Sequence, residues 1–314
     1  MRGRCVVAVL LVAFYFAVIL FGGLPDHLIL FPSTAPIEPA GATRRTIAFE
    51  NGQLEVWTAK SQLAQNTGRT DVYVLRFYGN ADRAERWVAA EAEMWNKRAV
   101  EVWGMNYPGF GGSTGPAKLA RIAPAALCAW DELQRHADKQ AAVASALLSG
   151  NSPADALKTA HPTARPIVLF GASLGTAAAL HVAAHRSVAG LILHNPPPLR
   201  QMILHQFGWW NLWLLAGPIA MQIPRELDNL ANAQASRAPA IFLLAEKDEV
   251  VAPRYHRLVV DAYAGDKRVI TLRGANHNTP IEGAALADFH KTLDWLLPGE
   301  HSNGANALDR PDER

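Results

Sequence analysis

The chain has 314 residues, is 50% hydrophobic and carries a formal net charge of +2. That length and apolar content build one large domain with a full core, and a near-neutral charge without a Lys/Arg cluster excludes a nucleic-acid partner. Of the two cysteines, Cys5 falls in an N-terminal apolar run, so the folded part keeps only Cys128 and an internal disulfide is excluded as well.

Arg2 and Arg4 precede an apolar run from Cys5 to Leu24. About 20 apolar residues are what a helix needs to cross the hydrocarbon of a bilayer. A secretory signal peptide is the rival reading, but it has a shorter apolar region and ends in a small-x-small cleavage site. Here the run ends Leu20-Phe21-Gly22-Gly23-Leu24-Pro25, with no Ala-x-Ala, which favours an uncleaved anchor over residues 1–24. The arginines before the run place the N-terminus in the cytoplasm and the remainder on the far side, the periplasm in a bacterium. Residues 25–42 are proline-rich and read as an extended connector.

The main domain is predicted over 43–297. Arg44–Phe49 and Leu54–Thr58 read as a hairpin with Asn51-Gly52 at its turn. Strands follow at Val72–Phe77, Ala99–Asn106, Pro166–Phe170, Gly190–His194, Ala240–Ala245 and Arg268–Leu272. Between them helices are predicted at Ala84–Lys97, Pro124–Ala137, Leu174–Arg186, Arg254–Tyr263 and Pro280–Leu296. Such alternation is the pattern of an α/β fold with a mostly parallel sheet, covered by helices on both faces. Two segments exceed that plan. His136–Ala164 reads as a surface insertion: an Ala-rich helix ending at Gly150, then a short helix from Ser152. Arg200–Pro224, with Trp209, Trp210 and Trp213, reads as a lid lining an acyl pocket, with ordinary core and membrane contact as lesser alternatives. The polar tail 298–314 reads as disordered.

Gly171-Ala172-Ser173-Leu174-Gly175 stands between an apolar strand and an Ala-rich helix. A Gly-x-Ser-x-Gly run in that setting is a nucleophile elbow, a strained turn that exposes the serine at the edge of the sheet. A serine hydroxyl needs a general base, and the base needs an acid to fix its tautomer. His277, just past the last strand, is the predicted base. Asp248, a few residues past the Ala240–Ala245 strand, is the predicted acid, with Glu246 and Glu249 as neighbours that compete for the role. The order Ser, Asp, His and the strand-end placement are those the architecture requires. The oxyanion donors are predicted as the N–H groups of Leu174 and of Asn80 in Tyr78-Gly79-Asn80-Ala81, with Gly79 providing the turn and Ala81 as second choice. His181 and His185 lie four apart on a helix, but no third ligand accompanies them, and no metal is predicted.

These motifs resemble the α/β-hydrolases, and specifically the membrane-anchored α/β-hydrolase-domain serine hydrolases. The residues that carry the resemblance are the anchor, Tyr78-Gly79-Asn80-Ala81, Asn106-Tyr107-Pro108-Gly109-Phe110-Gly111-Gly112-Ser113, the elbow, the Asp248 loop and Gly274-x-x-His277. It implies an eight-stranded sheet and acyl transfer to water through a covalent Ser173 ester, with no cofactor. The family has His where Tyr78 stands, in a role that supports the loop, and Gly is common where Ala245 stands. The resulting expectation is a membrane-anchored serine esterase acting on a small acyl ester or lipid-like substrate, with no obligate protein partner. A peptidase or acyltransferase on the same triad is the enzymatic alternative, and a non-catalytic membrane scaffold the other.

Overall fold

A computed structural model of the protein describes residues 2–21, 23–95, 97–149, 165–210 and 214–298. Eight strands form one sheet: β1 (Thr43–Phe49), β2 (Gly52–Lys60), β3 (Val72–Phe77), β4 (Val100–Met105), β5 (Ile167–Ala172), β6 (Gly190–His194), β7 (Ala240–Ala245) and β8 (Lys267–Leu272). Their spatial order is β1-β2-β4-β3-β5-β6-β7-β8. β1 and β2 pair antiparallel, β2 meets β4 antiparallel, and every other pairing is parallel.

Side chains alternate across this sheet because successive residues of a strand point to opposite faces. Tyr73, Leu75, Phe77, Leu169, Leu191, Leu193 and Phe242 build one core. It is covered by α5 (Leu119–Ser149), α6 (Gly175–His185), α9 (Asn229–Ala235) and α10 (Pro253–Ala262). Val72, Val74, Val100, Val168, Ile192, Ile241 and Leu243 build the other, under α4 (Ala84–Glu93) and α11 (Gly283–Leu296). The described residues also include α1 (Arg2–Phe21), α2 (Leu24–Ile29), α3 (Gln62–Thr67), α7 (Leu199–Phe207) and α8 (Ala216–Met221).

Two sequence expectations change here. The first hairpin turns at Glu50-Asn51, with Glu50 in the left-handed region (φ 49°), and not at Asn51-Gly52. Gly52 opens β2 instead, because a Cβ there would meet the Thr114 hydroxyl at 1.9 Å. The 136–164 insertion does not begin at His136. α5 continues unbroken to Ser149, and His136 packs its ring against Tyr73 and Trp103, which puts this part of the helix in the core layer. The helix predicted from Ser152 and the tail beyond 298 lie outside the described residues.

The connector, too, is more than extended chain. It opens with α2, whose Asp26 carboxylate accepts the N–H of Leu119 at 2.8 Å and so caps α5 across 93 residues. Further along, the carbonyls of Ser33 and Ala35 accept from the Arg83 guanidinium, and Ser33 O also accepts the Gly111 N–H. The segment read from sequence as a lid holds α7 and α8, which pack together; residues 211–213 lie outside the described set. α1 rests against it, with the Tyr15 hydroxyl donating to Leu214 O at 2.9 Å. No described helix is long and apolar enough to cross a membrane.

The difference in burial between a central and an edge strand is testable through a pair of register partners. Phe242 is fully buried on β7, whereas Val269 on the adjacent β8 is 47% exposed. Phe242→Ala is expected to cost about 3–5 kcal/mol in urea unfolding, and Val269→Ala less than about 0.5 kcal/mol.

Candidate active site

The carboxyl ends of β3, β5, β6, β7 and β8 share one edge of the sheet, and every predicted site residue lies there. Ser173 follows β5 directly and has φ 49°, the left-handed strain of an elbow. Its N–H donates to His194 O at 2.8 Å, and its carbonyl accepts from Thr176 N as α6 begins. Gly175 is fixed by close approach: a Cβ would stand 2.2 Å from Phe77 O, so the start of α6 lies directly on the loop after β3. Gly79 of that loop faces the nucleophile, its Cβ position 3.4 Å from Ser173 Cβ.

His277 Nδ1 stands 2.7 Å from Asp248 Oδ2. An ionised carboxylate only accepts, so Nδ1 carries the hydrogen and Nε2 keeps its lone pair. The other Asp248 oxygen accepts the N–H groups of Val250 (2.9 Å) and Val251 (2.7 Å). Burial by itself would raise this carboxyl. The close approach of the His256 and His277 imidazoles, together with the Val251 amide, outweighs it and holds the group far below the usual carboxylate range. The competing acids have other partners: Glu246 accepts the Gly274 N–H and Glu249 the His277 N–H, and neither meets the imidazole. Ser173 Oγ makes no hydrogen bond among the described residues, to His277 Nε2 or to any other group.

Of the two predicted oxyanion donors, neither the Leu174 nor the Asn80 backbone N–H has a partner among the described residues. The loop that carries Asn80 is braced from both sides. The Asn80 side chain donates to Ile29 O and accepts from Phe31 N (2.9 Å) and Ala81 N (3.0 Å), which ties the loop to the connector. The left-handed residue of the turn is Ala81 (φ 63°), not Gly79. Behind it, Tyr78 is buried: its hydroxyl donates to Glu91 at 2.7 Å, its carbonyl accepts from the Tyr107 hydroxyl at 3.0 Å, and its ring lies under the Arg76 guanidinium at 4.5 Å. The tyrosine thus supplies a prop for this loop. Asn106 is structural, as its motif implied, donating to Glu55 and Glu85.

Sequence reasoning missed Asn195. It is 1% exposed and left-handed (φ 50°). Its carboxamide accepts the Ala245 N–H at 2.8 Å and donates to His277 O at 3.1 Å, joining the β7 end to the base loop. The available signal was a polar pair, His194-Asn195, immediately after an apolar strand, with Asn a residue that tolerates left-handed backbone. His194 itself has a buried Nε2 without a partner; burial and then the positive charge of Arg76 push it down to about 3.

No family model matches the chain. Two uncharacterized proteins, from two strains of Mycobacterium tuberculosis, are each 26% identical to it over 272 residues, which covers 83% of this chain and 84% of theirs. Among solved structures, the Pyrococcus furiosus esterase Pf2001 superposes with a TM-score of 0.58 at 14% identity, over 86% of this chain and 96% of that one. An α/β hydrolase from Vibrio vulnificus gives 0.54 at 17% identity, over 82% of this chain and 80% of that one. The chain has the α/β-hydrolase fold. Est1E from Butyrivibrio proteoclasticus, solved with ferulic acid bound, shares it with a TM-score of 0.58 at 15% identity, over 81% of this chain and 98% of that one.

Two outcomes are expected of this edge of the α/β-hydrolase sheet. Gly175→Ala should lower the thermal midpoint by several degrees in a melting curve, since the new methyl has only backbone to push against. The second concerns pH. His194 stays neutral in the fold to about 3, whereas an unfolded histidine binds a proton below about 6.5. Its contribution is therefore whole above pH 6.5 and is lost as pH falls towards 3, by up to about 1.4 kcal/mol per pH unit. His194→Gln should flatten the urea-midpoint curve between pH 6.5 and 4. Part of the slope should remain, because burial also lowers His181. Asp248 acts below this window, its contribution being lost only under the ordinary Asp value of 3.8.

Proposed function

We propose that the chain is a serine hydrolase that cleaves carboxylic esters through an acyl-enzyme. The observation that carries this reading is the His277 Nδ1–Asp248 Oδ2 contact of 2.7 Å, held at the same sheet edge as a left-handed Ser173. Ser173 Oγ attacks the acyl carbonyl carbon while its proton passes to His277 Nε2. Asp248 keeps the imidazole in the tautomer that can accept it and stabilises the imidazolium. The Leu174 and Asn80 amides hold the oxyanion. Collapse expels the alcohol, which takes the proton from His277. Water then repeats the sequence on the Ser173 ester and releases the acid.

The apolar run of α1 and its contact with the α7–α8 segment support anchoring by the N-terminal segment and an amphiphilic acyl substrate. Exposed side chains agree with that reading: Val9, Leu10, Leu11 and Phe14 on α1, and Trp209, Trp210 and Leu214 beside them on the α7–α8 segment, are all more than half exposed. The anchoring orientation is the one with the N-terminus cytoplasmic and the hydrolase domain extracytoplasmic.

The test uses full-length protein in membranes. Wild type should label with a fluorophosphonate and hydrolyse short p-nitrophenyl esters. Ser173→Ala should lose both, by at least about a thousandfold in turnover, with an unchanged melting curve. Turnover retained in that variant would refute the assignment.

A further inference from the structure

His256 lies on α10, eight residues past Asp248, and its side chain is entirely excluded from solvent. Neither ring nitrogen makes a well-formed hydrogen bond, yet Nε2 stands 3.3 Å from Asp248 Oδ2, the same oxygen that meets His277 Nδ1. A buried imidazole with two unpaired nitrogens costs free energy that an aliphatic side chain of similar volume would avoid. It is therefore placed for what it does to the carboxylate.

We propose that His256 is a positioning residue for the Ser173 site: it donates Nε2–H to Asp248 Oδ2 and fixes the carboxylate plane against His277. The inference rests on the serine hydrolase reading. With His256 present the Asp248 carboxylate faces four donors, namely Val250 N, Val251 N, His277 Nδ1 and His256 Nε2. Two amides hold one oxygen and two imidazoles flank the other. The carboxylate therefore cannot rotate about its Cβ–Cγ bond without losing a partner. The two imidazoles also divide its charge. A donor removed from Oδ2 leaves a more basic acceptor for His277, so His277 becomes easier to protonate.

The titratable and charged groups around this carboxylate are His277, His256, His194 on β6 and Arg76 on β3. Glu249 adds a carboxylate at the His277 N–H, and His205 of α7 meets the ring of Tyr255, the residue before His256. Among the described residues, only His256 and His277 address Oδ2. A change in the base caused by altering His256 is thus read through Asp248.

The experiment measures p-nitrophenyl ester hydrolysis against pH by the purified full chain. The variants are His256→Leu, His256→Gln, Asp248→Asn and the double variant Asp248→Asn/His256→Leu. His256→Leu is expected to lower kcat by roughly ten- to a hundredfold with KM little changed. It should also move the acid limb of the kcat/KM profile to higher pH. His256→Gln, whose amide N–H can reach where Nε2 stood, should restore most of kcat. In the Asp248→Asn background, His256→Leu should add less than about a twofold loss, since residues acting through one contact are not additive. Equal losses in both backgrounds, or an unmoved acid limb with Gln no better than Leu, would overturn the proposal and leave His256 as core filling. Should His256→Leu fail to fold by its melting curve, His256→Asn against His256→Gln makes the comparison. The shorter amide is expected to be slower, and equal rates overturn the proposal. Wild-type turnover that survives Ser173→Ala would instead sink the hydrolase reading, and this assignment with it.

Discussion

The short end of β6 holds this site together. Its last residue gives a carbonyl to the N–H of Ser173, and the next residue, Asn195, bridges β7 and the loop of His277 with one carboxamide. Ser173 and His277 therefore hang from two consecutive residues, although they are about a hundred positions apart in sequence. The strained backbone at both Ser173 and Asn195 is affordable because hydrogen bonds on every side over-determine it. Without that node the parallel sheet would still bring its strand ends to one edge, but nothing would set the spacing between the loops that leave it.

A second layer of polar chemistry lies behind the first. Arg76 is a cation in the middle of the sheet, sandwiched between Tyr78 and Phe170 and paired with Glu91 at 2.7 Å. It also donates to the carbonyls of Phe77 and Phe170. Burial opposes its charge, but Glu91 more than compensates, so the guanidinium stays protonated. Glu91 in turn takes the Tyr78 hydroxyl. One ion pair thus fixes the loop after β3 and the strand that leads into the elbow. A histidine at position 78, which the sequence resemblance implied, would reach less far towards Glu91 than the tyrosine does.

Much of this was legible in the chain because the signals are local. Each strand is a short apolar run with a polar boundary, and all eight form near their predicted positions. Ser173 is marked by its two glycines, and Asp248 and His277 by their distance past an apolar strand. What escaped reading depends on contacts between distant segments. Asn195 reaches residues 50 and 82 positions away, and no periodicity reports a carboxamide with two partners. His256 sits on the buried stripe of an amphipathic helix, where a histidine is indistinguishable from filler until the helix is docked. The helical start of the connector was hidden by its prolines, which suit a first turn as well as they suit extended chain. The unbroken run of α5 was obscured by Ala-rich composition, which marks helix without marking where one helix ends and another begins.

The segment from Leu24 to Ala35 has a consequence for how the domain is separated from α1. It caps one core helix through Asp26, ties down the loop after β3 through the backbone at Ile29 and Phe31, and satisfies the buried Arg83 guanidinium through Ser33 and Ala35. These groups act as a strap, and the folded unit begins before its first strand. A shortened protein cut at the boundary of β1 would keep the whole sheet and yet release the brace on the site. A cut at the glycine pair ahead of Leu24 separates the apolar helix from the domain and leaves every one of these ties in place.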